Sequence, residues 1–139
     1  MSIKIASRKA KGRKLQDFIR DIFRDIFRDE LEDDDIKSAI MGQSGNDIIF
    51  SPLARKKILL DIECKHQEKF SINSAMQQAI SNTSPDRIPS VVFSKNRDDV
   101  YISLKFVDFI KLVYPNWEPN IKIKGKNIIP LNDNLTKIK

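Results

Sequence analysis

The stretch GNDIIFSPLARKKILLDIECKHQEKF, residues 45–70, decides how the centre of this chain folds. It contains two apolar runs, residues 47–50 and 58–65, separated by the mixed segment 51–57. In the second run apolar and charged side chains alternate, and this period of two residues predicts a β-strand with two different faces. One face carries Ile58, Leu60, Ile62 and Cys64, and the other carries Asp61, Glu63 and Lys65. Folding alone gives no reason for an apolar strand to end in an acid, a small residue and a base.

The sequence on either side of this stretch predicts an ordered series of helices and strands. Helices are expected where apolar residues recur at three- and four-residue steps, and strands where short apolar runs lie between turn residues. The predicted elements in chain order are a helix at Leu15–Phe27, a strand at Ile36–Met41, a turn at Gly42–Asn46, a strand at Asp47–Phe50, a helical turn at Pro52–Lys56, a strand at Ile58–Lys65, a helix at Ile72–Asn82, strands at Pro89–Phe93 and Val100–Ile102, and a helix at Leu104–Val113. Ser51, Ser71 and Ser103 are the expected N-caps of the helical turn and of the last two helices, and Pro115 ends the last helix. This order predicts an α/β domain with a mixed central β-sheet flanked by helices.

The length of 139 residues fits one main domain with a single core. We place this domain at residues 1–114, with a basic N-terminal segment, and treat residues 115–139 as a basic C-terminal extension. The alternating residues Ile121–Lys124 in the extension fit an extra strand, an interface arm for a partner, or a flexible tail. Trp117 fits either stacking on a nucleic-acid base or pinning the extension to the domain.

Composition narrows the class of protein. Hydrophobic residues make up 40% and charged residues 32%, which is typical of a globular chain. No apolar run approaches the roughly 18 residues of a membrane-spanning helix, and the N-terminus lacks the apolar core of a secretory signal. We therefore expect an intracellular, cytoplasmic protein with no membrane partner. A single Cys64 and a single His66 argue against an intramolecular disulfide and a four-ligand zinc site.

The net charge of +6 is concentrated in clusters at the N-terminus, at residues 55–57 and in the C-terminal extension. Such clusters suit a phosphate backbone, because each neutralised phosphate releases counterions. The alternative is that they are only a solubilising surface. If they bind DNA, the candidate contacts are Arg8, Lys9, Lys11, Arg13, Lys14, Lys95 and Arg97.

A possible chemical site follows from the two central strands. Asp47 begins one strand, and Glu63 with Lys65 lies at the end of the next, so an antiparallel pairing brings the three side chains to one end of the sheet. Two carboxylates suit Mg²⁺, which is typically bound through one or two protein carboxylates and substrate phosphate. A nearby lysine can orient or deprotonate water or offset negative charge. The set predicts metal-assisted phosphodiester hydrolysis. The alternative is a turn residue at Asp47 and a surface ion pair between Glu63 and Lys65.

These residues carry a resemblance to a known family. Asp47, a gap of fifteen residues and then Glu63-Cys64-Lys65 resembles the D…ExK signature of the PD-(D/E)XK nuclease superfamily. Upstream, KGRKLQ at residues 11–16 and SAIMGQSGND at residues 38–47 resemble Holliday junction resolvases of archaeal and phage type. The resemblance covers about residues 7–112 and implies a restriction-endonuclease-like core, with residues 1–114 as the nuclease domain.

The resemblance also implies roles for individual residues. Asp47 and Glu63 would ligate the metal together with the backbone carbonyl of Cys64, Lys65 would assist the nucleophile, and Ser38 would touch the phosphodiester. The archaeal resolvases usually carry a glutamate in the first helix where this chain has Gln16, with Asp17 beside it. Which of these two reaches the site stays open at this stage.

Two further residues, Gln78 and His66, follow the ExK segment in the sequence. Some superfamily members place a glutamine in the helix after the ExK strand, and Gln78 is the candidate here, although spacing does not separate it from Gln77. His66 should point to the opposite face of the strand from Lys65, which favours a strand-end residue over a catalytic base.

The expected function is therefore a Mg²⁺-dependent DNA endonuclease that resolves four-way junctions as a homodimer, without a small-molecule cofactor. Mn²⁺ is expected to substitute for Mg²⁺, and the resemblance suggests a phage-encoded protein acting in a bacterial host. The alternatives are a nuclease for flaps, single strands or duplexes, a DNA-binding module without chemistry, and an interaction protein organised by the charged first helix.

Overall fold

The computed structural model describes residues 2–40, 43–124 and 127–130, with side chains described for residues 10–40 and 43–120. The chain divides into two compact units, Met1–Leu104 and Lys105–Lys139. The helix at residues 106–113 groups with the second unit, whereas the sequence analysis placed it in the first domain.

The first unit contains the helices and strands that position the candidate site. In chain order they are α1 at Ser2–Ile26, a single 3-10 turn at Asp33–Asp35, β1 at Ile36–Ser38, β2 at Ile48–Phe50, α2 at Pro52–Lys57, β3 at Leu60–His66, α3 at Ile72–Ser81, β4 at Ile88–Ser94 and β5 at Tyr101–Leu104. The second unit contains α4 at Phe106–Val113, β6 at Ile121–Lys124 and β7 at Asn127–Pro130. The predicted order of a helix, three strands, a helix, two strands and a helix is confirmed.

The strands of the first unit form a mixed arrangement. β1 pairs with β2 antiparallel, β3 with β4 parallel, and β4 with β5 antiparallel. The hairpin of β1 and β2 meets the three-stranded sheet at the N–H of Asp47, which donates to the carbonyl of Ile62 at 3.0 Å. The prediction of an α/β fold with a mixed sheet flanked by helices is confirmed at this level.

Helices α1 and α3 pack against the strands through two separate groups of apolar side chains. Leu15 and Ile19 of α1 belong to one cluster, whose other buried members are Ile36, Ile48, Phe50, Ala54, Ile58, Ile62 and Val92. Ala75 and Ala79 of α3 form the second cluster with Val91, the neighbour of Val92 on β4. Because successive strand residues point to opposite faces, the sheet is covered on both sides. The charged face of β3 is therefore buried, and Asp61 and Glu63 are each 3% exposed.

Local sequence signals account for several of the element boundaries. Ser51 accepts a hydrogen bond from the N–H of Ala54 and caps α2, and Ser71 accepts one from the N–H of Ser74 and caps α3. Both caps were predicted from the sequence. Asn82 follows α3 as its C-cap.

Three predicted boundaries were wrong. Helix α1 begins at Ser2, well before Leu15, because the basic segment continues the same helix instead of preceding it. Strand β1 ends at Ser38 and not at Met41, which lies outside the described residues. Ser103 does not cap α4: it pairs with Val91 inside β5, and Lys105 is the N-cap. Strand pairing outweighs the capping preference of Ser103.

In the second unit, β6 and β7 pair antiparallel, so Ile121–Lys124 forms a strand, the first of its three predicted alternatives. Gly125, Lys126 and residues 131–139 lie outside the described residues, and so do the side chains of Lys122 and Lys124. Pro115 follows α4 directly after its C-cap Tyr114, as expected. Within the described ranges, no helix combines the length and apolar character needed to cross a membrane.

A buried ion pair, which the sequence analysis did not identify, joins β3 to the segment before β4. Arg87 Nε donates to Asp61 Oδ1 at 2.7 Å, and the two side chains are each 3% exposed. Arg87 Nη2 also donates to the carbonyls of Ile58 and Leu60, and Thr83 Oγ1 donates to the second oxygen of Asp61. The charged groups of this pair therefore have hydrogen-bond partners in the interior. Removing either residue would leave the other charge buried without its partner.

We expect Arg87→Met to lower the free energy of unfolding by about 3–5 kcal/mol, because it leaves the Asp61 carboxylate buried without its partner. Urea denaturation at pH 7 measures this loss. The double variant Asp61→Asn/Arg87→Met should lose less than the sum of the single changes. Arg28→Met is the control, because Arg28 and Asp25 form an exposed pair, with side chains 71% and 75% accessible, and it should cost less than about 1 kcal/mol. A similar small cost for Arg87→Met would contradict the prediction.

Candidate active site

The candidate site lies where the start of β2 meets the second half of β3. Gly45, two residues before Asp47, has a φ of +104°, a conformation that glycine adopts without strain. The carbonyl of Asp47 accepts hydrogen bonds from the N–H of Ala39 at 2.8 Å and from the side-chain amide of Gln16 at 2.7 Å. The backbone of Asp47 is therefore held by α1, by the segment after β1 and by β3.

The side chain of Asp47 lies against β3. Its Oδ2 accepts a hydrogen bond of 2.6 Å from the backbone N–H of Cys64. Burial raises the pKa of Asp47, while the Cys64 N–H and the charge of Lys65 act in the opposite direction. Asp47 thus meets the Glu63-Cys64-Lys65 segment as predicted, but the predicted antiparallel pairing of the two strands was wrong, because β2 pairs with β1 and β3 pairs with β4.

The two side-chain oxygens of the buried acid Glu63 have different surroundings. Its Oε1 accepts a hydrogen bond of 2.6 Å from Gln78 Nε2, whereas its Oε2 is buried without a hydrogen-bond partner among the described residues. Burial raises the pKa of Glu63 to about 7, and the negative charge of Asp47 contributes in the same direction. Lys65 and the Gln78 hydrogen bond oppose the rise without cancelling it. A buried carboxyl with an unused oxygen costs stability, and such groups are concentrated at functional sites.

Cys64 separates the two charged residues of the strand and faces the other way. Its side chain packs against the cluster that α1 covers, as the alternation predicted. Burial, with the charges of Asp47 and Glu63, raises the pKa of the thiol. The thiol is therefore a packing group. The role expected for the Cys64 carbonyl stays a prediction.

The structure distinguishes Gln16 from Asp17. Gln16 contacts Asp47, while Asp17 Oδ1 accepts a hydrogen bond of 2.7 Å from the hydroxyl of Ser38 and pairs with Arg20. Gln16 is therefore the α1 residue joined directly to Asp47. Ser38 pairs with Ile48 across the hairpin, next to Asp47 in sequence, but its hydroxyl is used by Asp17. Contact between Ser38 and a phosphodiester stays a prediction.

The structure also distinguishes Gln78 from Gln77. Both glutamines are exposed residues, and it is the side-chain amide of Gln78 that makes the hydrogen bond to Glu63 described above. Helical position explains this difference, because Gln78 lies next to the buried Ala79 and three residues after the buried Ala75.

The predicted DNA contacts lie on α1 and in the turn between β4 and β5. Arg13 and Lys14 are exposed on α1, and Lys95 and Arg97 are exposed in the turn between β4 and β5. Lys11 donates to Asn96 in that turn at 2.9 Å, which brings α1 and the turn together. The side chains of Arg8 and Lys9 lie outside the described residues. Binding of DNA by any of these residues stays a prediction.

His66 and Trp117 lie outside the predicted set of catalytic residues. His66 is engaged on both ring nitrogens, by Ser94 and by Asn96, and this accords with the expectation that it is a strand-end residue. No sequence signal identified Ser94 or Asn96. Trp117 lies in the second unit, where it lines an apolar cavity with Phe106.

The residues present fit a hard divalent cation. Asp47 and Glu63 supply carboxylate oxygens, and Oε2 of Glu63, for which the described part of the chain offers no hydrogen-bond partner, is available as a ligand atom. In residues 10–40 and 43–120, no group of three or more His, Cys, Asp or Glu side chains forms a metal site. Mg²⁺ does not require one, because it keeps several waters and is usually bound through one or two carboxylates.

Comparisons with known proteins returned nothing: no family model, no curated protein and no solved structure matches this chain.

In the absence of metal, we expect Glu63→Gln to be more stable relative to wild type at pH 8 than at pH 5. The folded-state pKa of Glu63, about 7, lies above its ordinary value of 4.5, so the folded state binds more protons between these values. Stability is therefore lost as pH rises through this window, on the order of 3 kcal/mol at most. The substitution removes this loss.

Urea denaturation at several pH values, in the presence of a chelator, measures this effect. The difference in unfolding free energy between Glu63→Gln and wild type should become more favourable from pH 5 to pH 8. Glu118→Gln, which alters an exposed acid in the second unit, is the control and should show no such trend. A pH-independent difference for Glu63→Gln would contradict the assignment.

Proposed function

We propose that this protein is a metal-dependent DNA endonuclease of the PD-(D/E)XK type, and that it resolves four-way DNA junctions. The observation that carries the proposal is the buried Glu63 carboxyl: one of its oxygens has no hydrogen-bond partner within the described ranges, and burial together with the charge of Asp47 raises its pKa. A carboxyl serving only the fold would be paired on both oxygens, as Asp61 is. Lys65 follows two residues later on the same strand, which completes the acid, acid and lysine set.

Mg²⁺, or Mn²⁺ in its place, would be held by Asp47 and Glu63 with the Cys64 carbonyl. When bound there, the cation supplies Lewis-acid polarisation of the phosphodiester and acidifies a bound water. Glu63 must be ionised to act as a ligand, so cation binding releases its proton below about pH 7. Gln78 fixes the orientation of the other Glu63 oxygen, and the Cys64 N–H fixes that of Asp47.

Lys65 is the residue that we assign to the nucleophile and to the developing charge. Its charge acts on both Asp47 and Glu63, since it opposes the pKa rise of each carboxyl. From this position an ammonium can hold an attacking water by a hydrogen bond and offset negative charge on the phosphate during the displacement. The same charge also reduces repulsion between the two carboxylates before substrate binds.

The choice of DNA as substrate and of the four-way junction depends on the sequence resemblance and on charge. A restriction-endonuclease-like core is compatible with the observed order of α1, three strands, α3 and β4, with β3 and β4 parallel. Exposed cations on α1 and in the turn after β4 suit a phosphate backbone. Junction resolution needs two symmetric cuts, which a homodimer with two-fold symmetry would supply.

We expect wild-type protein with Mg²⁺ to place paired cuts in a synthetic four-way junction and to leave a linear duplex of the same sequence intact. Glu63→Gln should abolish cleavage, because a neutral amide is a poor ligand for Mg²⁺. Lys65→Met should lower the single-turnover rate by about 10²–10⁴-fold, because it removes both the hydrogen bond and the charge. Glu118→Gln is the matched control and should cleave like wild type.

The products resolved on a denaturing gel separate the alternatives. Cleavage of both substrates would replace junction resolution with a general nuclease activity. Junction binding without cleavage by the wild type would contradict the enzyme and favour a DNA-binding module. Neither binding nor cleavage would favour the interaction protein.

A further inference from the structure

A chain of hydrogen bonds joins α1 to the end of β3 and to the turn after β4. Lys11 Nζ donates to Asn96 Oδ1 at 2.9 Å, and His66 Nε2 lies 3.1 Å from the same oxygen. His66 Nδ1 lies 2.7 Å from the hydroxyl of Ser94. Because Lys11 only donates and an amide oxygen only accepts hydrogen bonds, Nε2 of His66 is the donor to the Asn96 oxygen. The network thus connects three elements through the side chain of Asn96.

This network determines which donors remain for a ligand. Lys11 and His66 both use the oxygen of Asn96, and among the side chains that the structure describes none occupies the two N–H groups of its exposed amide nitrogen Nδ2. The Lys11 ammonium has three N–H donors, of which Asn96 uses one. An amide and an ammonium held side by side are suitable donors for a phosphodiester oxygen.

The surroundings of Asn96 support the same conclusion. Lys95 and Arg97 flank it in the sequence and are exposed, and Arg97 has a φ of 58°, in the left-handed region. Glu68 accepts the backbone N–H of Asn96 and so holds the turn. The nearby Asp98 is engaged by the Tyr101 hydroxyl and by its neighbour's N–H.

We propose that Asn96 and Lys11 form a second phosphate-binding site, which holds the DNA backbone at a phosphodiester other than the one that is cut. The proposal rests on the proposed function, since it takes DNA as the ligand. His66 is a positioning residue here, because it orients the Asn96 amide and does not touch the phosphate. The site lies at the end of the strand that carries Glu63 and Lys65, so it fixes the register of the DNA on the candidate active site.

Substitution of the uncharged residue Asn96 provides the sharpest test. We expect Asn96→Ala to weaken junction binding about tenfold and to lower the slope of log affinity against log salt by about one, because Lys11 is no longer held at the phosphate. Lys11→Met should lower the slope by the same amount, and the double variant should match Lys11→Met in slope. Fluorescence anisotropy with a four-way junction, without divalent cation and at about 50–300 mM NaCl, measures these values.

Two further variants separate phosphate binding from a purely structural role. Asn96→Asp keeps an oxygen for Lys11 and His66 but exchanges the free amide N–H groups for a negative charge, so it should bind DNA more weakly than Asn96→Ala. Lys14→Met, an exposed lysine on the same helix, is the control for coupling, and its effect should add to that of Asn96→Ala. Circular dichroism and thermal melting verify that each variant is folded.

An unchanged salt slope for Asn96→Ala, or wild-type affinity for Asn96→Asp, would overturn the second phosphate site. If the wild type cleaves junctions while the Asn96 variants bind normally, this site fails and the nuclease stands. If the Asn96 variants behave as expected while the wild type cuts no DNA, the phosphate site stands and the nuclease fails.

Discussion

Asp47 makes the contacts on which the rest of this site depends. Its N–H bonds to the Ile62 carbonyl and its carboxylate accepts the N–H of Cys64, so one residue joins the β1–β2 hairpin to β3 through both backbone and side chain. Gln16 of α1 adds a third bond, to the Asp47 carbonyl. The contacts that join the hairpin to β3 therefore also bring the carboxylate of Asp47 to the Glu63-Cys64-Lys65 segment. Fold and site share one set of hydrogen bonds here.

Two acids on the same face of β3 show how structural and functional carboxyls differ. Asp61 and Glu63 lie two residues apart on this strand and are equally buried. Asp61 has both oxygens satisfied, by Arg87 and Thr83, and it holds the strand to the segment before β4. Glu63 receives one bond from Gln78, and its second oxygen has no partner in the part of the chain that the structure describes. Because burial of an unpaired carboxyl opposes folding, Glu63 is the one for which a ligand is the natural explanation.

Much of this arrangement is predictable from periodicity and turn chemistry. The alternation in β3 correctly separated Cys64 from Glu63, and the serine caps of α2 and α3 followed from local hydrogen bonding. The partner of Asp61 was not predictable, because Arg87 reaches it across 26 residues, and Gln78, which reaches Glu63 across 15, was a candidate only through the family resemblance. Such pairs depend on how α3 and β4 return to β3. The prediction that Ser103 caps α4 was wrong, because its pairing with Val91 in β5 outweighed its local preference for capping a helix.

The central claim is that Glu63 keeps its proton up to about pH 7 until a cation binds the carboxyl oxygen that has no partner among the described residues. Carboxyl ¹³C NMR of protein labelled at glutamate, with Glu63→Gln to assign the signal, measures the pKa of this group directly. The account predicts that Glu63 titrates near pH 7 without metal and that the midpoint falls when Mg²⁺ is added. A midpoint near 4.5 that Mg²⁺ leaves unchanged would show that Glu63 is an ordinary solvated acid and would contradict the account.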